Sequence, residues 1–170
     1  EMYIRDRKIR VDKEGAGMGW GAVYAQYLES MDQISGQGNG LSVSRQLYKG
    51  DEALNESAPL KVGDKITVRL TIKADRDMDF VQIKDDRAAC MEPLQAVSGF
   101  RWSNGLGYYQ ATKDASTQFF IDQMRKGTYV IEYQVYVNRP GEYQVGIATV
   151  QSAYAPEFGG HTGGYRVMVE

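Results

Sequence analysis

The chain holds a single histidine, His161, and a single cysteine, Cys90. His161 lies in "YAPEFGGHTGGYRVMVE", four residues after Glu157 and close to Tyr154 and Tyr165. A histidine beside a carboxylate can move protons, but catalysis also requires a nucleophile or substrate within reach. A metal centre takes three or four ligands, more than His161 and Glu157 supply. The segment is therefore expected to be a loop in which Tyr154, Pro156 and Phe158 anchor the chain and Glu157 accepts hydrogen bonds. A hydrolase built on His161 and Glu157 would need an open cleft with a third polar group beside them.

Three other groups invite chemistry. Asp75, Asp77 and Asp79 in "KADRDMDF" have the spacing that opens a calcium loop. The sixth position is Phe80 instead of Gly and the twelfth is Asp86 instead of Glu, so a charged turn between strands is expected instead. Asp85, Asp86 and Arg87 form a second cluster. If buried, such charges must pair, because an isolated buried charge is prohibitive. Trp102, Tyr108 and Tyr109 form the third group, able to stack on sugar rings or, as the favoured reading, to cover the end of a β-sandwich. "GAGMGWG" lacks the spacing and context of a dinucleotide fingerprint, and "NES" at Asn55 is a formal glycosylation sequon. No catalytic residue, cofactor or metal is expected.

Strands must position these groups. "KITVRLTIKA" (65–74) alternates Ile66, Val68, Leu70 and Ile72 with polar residues, the period of a strand with one face on a core. "GTYVIEYQVYVNRPGEYQVGIATVQS" predicts two long strands joined by a turn at Pro140 and Gly141, with Tyr129, Ile131, Tyr133, Val135 and Val137 on one face. "YRVMVE" alternates again. Strands are also expected over "YIRDRKIRV" and "GWGAVYAQYLESMDQI", a linker over "SGQGNG" (35–40), and a loop over "YKGDEALNESAPLKVGD". "NGLG" predicts a turn. Many short strands with glycine-rich turns and no long helix argue for an all-β, antiparallel sandwich.

Bulk properties narrow the function classes. Among the 170 residues, 42% are apolar, enough for a packed core. The net charge of -2, with both signs interspersed, gives none of the basic stripe that nucleic-acid binding requires. No apolar run is long enough to span a bilayer. One cysteine excludes an internal disulfide scaffold. The opening, without a signal peptide, fits either a cytosolic chain or a piece of a longer precursor.

Residues 60–170 resemble the C-terminal macroglobulin-like domain of bacterial alpha-2-macroglobulins, in particular those of Bacteroidetes type. "DRAA.MEP", "GLGYYQ.TKDAST.FF", "KGTYV.EY" and "YAPEF..H" carry the resemblance. "WGAVYAQYLESMDQI" is similar to the segment leading out of the thioester and CUB-like region. The resemblance implies a macroglobulin-like, immunoglobulin-resembling sandwich over 39–170, with 1–38 as terminal strands of the preceding region and a linker. It implies a periplasmic or extracellular parent protein, anchored to the cell envelope, that cages peptidases after bait cleavage. The partners would be the upstream domains of the same polypeptide and the target peptidases. In that scheme this domain does no chemistry; it packs on the thioester region and moves with the rest of the protein on activation, and in animal relatives its equivalent binds a receptor. The family's thioester motif is Cys-x-Glu-Gln, whereas "CMEP" places Pro93 where the acyl-donating Gln must stand. Cys90 is then expected to be a small buried hydrophobe. The alternative function is a carbohydrate-binding sandwich module of a cell-surface protein, using Trp102, Tyr108 and Tyr109; interaction candidates under either reading include Asp86, Arg87, Tyr154, Pro156, Glu157 and Phe158.

Overall fold

Alternating side chains settle which face of each strand meets the core, and the computed structural model shows this over residues 14–20, 28–55 and 58–170. The strand expected over 3–11 lies outside the described residues, as do 21–27 of the next candidate and the last two sequon positions. The described end of that candidate is a 3-10 turn at Met31–Gln33 instead of a strand.

The first layer holds β2 (Leu41–Lys49), β4 (Lys65–Ala74), β6 (Met91–Pro93) and β10 (Gly127–Val137), in the order β6-β10-β4-β2. The second holds β5 (Met78–Asp86), β7 (Gly99–Ser103), β8 (Leu106–Thr112), β9 (Ser116–Met124) and β12 (Ala148–Ser152), in the order β12-β5-β9-β8-β7. Along one edge β1 (Gln37–Asn39) and β13 (Gly159–His161) join the layers, so the hydrogen-bonded ladder runs from β2 to β12 without a gap. β3 (Glu52–Ala53) pairs with the end of β2. Among the described residues β11 (Gly141–Val145) pairs only with β14 (Tyr165–Val169) as a small second sheet, tied to the body by a bridge from Val169 to Leu60. All named strand pairs are antiparallel.

The clean alternation of 65–74 becomes β4, with Ile66, Val68, Leu70 and Ile72 buried. β10 lies beside it in full register and buries Ile131, Tyr133, Val135 and Val137. Facing them from the second layer are Val81, Ile83, Phe119 and Ile121, all at most 1% exposed, and the Phe119 and Tyr133 rings meet across the core at 5.9 Å. This is an antiparallel β-sandwich, the architecture that the resemblance implies.

Two further local expectations change. The run 35–40, expected as a linker, contains β1, which pairs with both β2 and β13. The single strand expected after Pro140–Gly141 is two strands: β11 belongs to the small sheet and β12 to the second layer. The chain crosses between them at Gly146 and Ile147, where Arg45 Nη2 donates to the Gly146 carbonyl at 2.5 Å and Asp86 N–H donates to the Ile147 carbonyl. The turn before it is therefore a crossover, not a hairpin.

Candidate functional site

The layer β5–β9–β8–β7 has an inner face that closes the core and an outer face that remains open. On the outer face Phe100 of β7 is paired with Tyr109 of β8, which is paired with Phe120 of β9. The Phe100 and Tyr109 rings meet edge to face, 5.1 Å between centroids. Trp102 follows Phe100 by two residues, so it shares that face, and Gly107 opposite leaves room for the indole. A Cβ built on Gly107 would lie 2.8 Å from the Trp102 ring, so only glycine lets the indole lie flat across β8. The β7–β8 turn is made by Asn104 and Gly105, both at positive φ, as a two-residue hairpin requires. "NGLG" was legible as this turn.

Phe80 adds a further ring by a different route. Its φ of 52° is unusual for a bulky residue, and such backbone costs about 1–3 kcal/mol unless the surroundings hold it. The kink breaks alternation, so Asp79 and Phe80 are both exposed on β5. Phe80 packs edge to face on Tyr154 at 5.1 Å. Phe80, Phe100, Trp102, Tyr109 and Phe120 line one open groove of about 1080 Å³, together with Asp79 and Asp122.

The expected trio of Trp102, Tyr108 and Tyr109 is divided by this geometry. Tyr108 and Tyr109 are neighbours on one strand and must point to opposite faces. Tyr108 is buried against Phe119, rings 5.7 Å apart, and burial pushes its phenol above the ordinary value. All three border the groove, but only Trp102 and Tyr109 are exposed along it, while Tyr108 is buried. Phe100, Phe120 and Phe80 were not singled out by sequence; the first two carry the same period-two signal as Tyr109.

The Asp85–Asp86–Arg87 cluster does not pair internally. Asp85 is buried and forms an ion pair with Arg45 Nη1 at 2.5 Å, while the Tyr133 hydroxyl donates to its other oxygen at 2.7 Å. Burial raises the Asp85 carboxyl above its usual range, with Arg45 and Tyr133 opposing that shift. Burial and the neighbouring carboxylate push the Tyr133 phenol well up. Arg87 donates to Thr117 Oγ1 at 2.6 Å and to the carbonyls of Lys113 and Asp114, clasping the β8–β9 turn. Asp86 pairs with Lys84 at 2.9 Å near the surface. Arg45 was missed although it occupies the inward register of Leu41, Val43 and Leu47 on β2. A charge in that register requires a buried partner, and Asp85 (after Val81 and Ile83) and Tyr133 (after Ile131) share the inward register of their own strands.

His161 is half-buried on β13, and its Nδ1 lies 3.0 Å from the neighbouring Thr162 carbonyl. No hydrogen bond or ion pair joins it to a carboxylate among the described residues. Glu157 does accept a hydrogen bond, but through its backbone carbonyl, from Asn39 Nδ2 at 2.8 Å. The Pro156 carbonyl accepts from Gln151. Phe158 packs against the core beneath the Arg76 guanidinium, 4.5 Å from its ring centre, whereas Tyr154 is exposed. Asp75 pairs with Arg76 at 2.8 Å and Asp77 accepts the Lys126 N–H at 2.7 Å, so two of the three calcium-spaced aspartates serve local turns. No cluster of three metal-ligating side chains occurs among the described residues. Cys90 is buried, which raises its thiol, and Glu92 accepts from Asn138 at 3.2 Å. No helix among the described residues is long and apolar enough to cross a membrane.

The sequence model of the family described as "Bacterial Alpha-2-macroglobulin MG10 domain" matches residues 40–157. An alpha-2-macroglobulin homolog of Nostoc sp. is 27% identical, covering 79% of this chain and 8% of its own length. A protein of Dictyostelium discoideum named "Circularly permutated Ras protein 2" is 26% identical, covering 98% of this chain and 4% of its own. The chain thus spans less than a tenth of either curated relative. Escherichia coli alpha-2-macroglobulin activated by porcine elastase shares the fold with a TM-score of 0.69 at 16% identity, over 81% of this chain and 14% of that one. The match over 40–157, on the sandwich just described, shows that the chain belongs to the bacterial alpha-2-macroglobulin MG10 domain family.

Proposed function

We propose that the chain is a non-catalytic structural and interaction domain of a bacterial alpha-2-macroglobulin that traps and inhibits peptidases. The family match over 40–157 carries this reading. Relatives in the E. coli protein are described as activated by elastase and by trypsin, which supports a peptidase-responsive parent. The domain proper is taken as 39–170, with the chain before it leading from the upstream domains on which it packs. Asp32 fits that role: it binds Arg166 of β14 at 3.0 Å and so holds the entering chain against the small sheet. The parent would work in the periplasm or outside the cell, held at the envelope.

The domain's contribution is rigidity and surface. Its buried ion pair locks β2 to β5 between the layers, and its open aromatic face supplies a contact area. The test uses the full-length parent with trypsin or elastase. Trapping predicts that the peptidase loses activity on a protein-sized substrate but keeps activity on a small chromogenic peptide. Equal cleavage of the large substrate with and without the parent would overturn the proposal.

A further inference from the structure

The aromatic groove on the outer face carries two carboxylates that no cation among the described residues pairs with. Asp79 and Asp122 have no hydrogen-bond or ion-pair partner among the described side chains, unlike Asp32, Asp64, Asp75, Asp85 and Asp86, which all do. The register of β5 and β9 places Asp122 opposite Phe80, between the pairs Asp79–Gln123 and Val81–Ile121. Continuing that of β8 and β9 places it opposite Gly107, across which the Trp102 indole lies. Phe120, two residues along β9, shares its face. An acidic group is thus set among aromatic rings, the combination that attracts a cation by ring quadrupole and by charge together.

We propose that this groove is a docking site for a polypeptide segment presenting an arginine or lysine flanked by apolar side chains. The charge complementarity selects a basic partner, since Arg101, the one cation among the described residues lining the groove, donates back to the Val97 carbonyl at 3.3 Å. The size selects a peptide over a small cation: about 1080 Å³ is several times the volume of one ammonium group, and the Phe100–Tyr109–Phe120 row lies beside the acidic site. Trp102 and Phe100 are 76% and 80% exposed side by side on one face, a contiguous apolar patch of the kind that marks an interaction surface. Phe80 retains its left-handed backbone at this spot, and that conformation is what turns both its ring and Asp79 outward. The docking site stands whether or not the parent polypeptide traps peptidases.

The test is an amide and indole NMR titration of the 170-residue chain with the peptide acetyl-Gly-Leu-Arg-Val-Arg-Leu-Gly-amide. A second peptide has both arginines replaced by citrulline, the neutral isostere. The arginine peptide is expected to bind saturably below the millimolar range, shifting the Trp102 indole and the Phe120–Gln123 amides. The citrulline peptide should bind at least fivefold more weakly. Asp122→Asn should weaken the arginine peptide at least threefold while the rest of the spectrum overlays that of the unsubstituted chain. Equal binding of the two peptides, no saturable shift at the groove, or groove shifts that follow only the concentration of the chain itself would overturn the proposal; the last would make a second copy the occupant.

Discussion

Tyr108 and Phe119 face the core, while their immediate neighbours Tyr109 and Phe120 face outward. Phe119 is 0% exposed and Phe120 39%, yet one peptide bond separates them. The inner pair contacts Tyr133 and the opposite layer; the outer pair contacts Phe100 and then open space. One residue type thus stabilises the fold on one face and forms a surface for a partner on the other. Composition cannot distinguish these roles; only the parity of the strand does.

The largest expected effect tests that contrast directly. Phe119→Ala should lower unfolding stability by roughly 3–5 kcal/mol, the cost of a large cavity in a packed core. Phe120→Ala should cost less than about 1 kcal/mol, as surface substitutions do. Chemical denaturation of both variants measures the difference. Equal losses would mean the outer face is as much core as the inner one, and the docking proposal would lose its basis.

The second effect concerns the polar group on the inner face. Tyr133→Phe keeps the ring but removes the hydroxyl that donates to Asp85. The buried carboxylate then relies on Arg45, and a loss of about 1–3 kcal/mol is expected for the unmet acceptor. A neutral result would show that the Arg45 pair alone satisfies Asp85.

This network shows where sequence reading succeeds and where it stops. β4, β10 and β14 were legible because apolar residues alternate without interruption, and the hairpin turn because Asn104 and Gly105 suit positive φ. The strand at 41–49 was not identified, so Arg45 had no face and its pairing with Asp85, forty residues away, was invisible. The split between β11 and β12 was equally hidden, because 141–152 reads as continuous β sequence and only the crossing at Gly146 separates the two sheets. On the groove, treating Trp102, Tyr108 and Tyr109 as one platform overlooked that adjacent strand residues cannot share a face. Phe80 escaped for a different reason: its left-handed backbone is a tertiary feature with no pattern in sequence.

The smallest effects separate the anchors of the last loop. Tyr154 and Phe158 look alike in "SAYAPEF", and both were expected to pin it. The structure gives them different surroundings: Phe158 packs on the core edge, over Gly40 and under Arg76, while Tyr154 touches Phe80 on the exposed side. Phe158 also positions its own backbone, whose N–H donates to the Ala155 carbonyl and whose carbonyl accepts from Ser152. Removing the Phe158 ring therefore opens a half-buried corner and should cost about 1–2 kcal/mol, below the full-core value because the site can partly collapse toward solvent. Tyr154→Ala should cost less than about 0.5 kcal/mol, and His161→Ala the same, because each lies outside the packed contacts that give large effects. Melting temperatures of the three variants, taken side by side, check the order. A Tyr154 loss as large as that of Phe158 would show that the Phe80–Tyr154 contact braces the loop, and the strained backbone at Phe80 would then serve the fold as well as the groove.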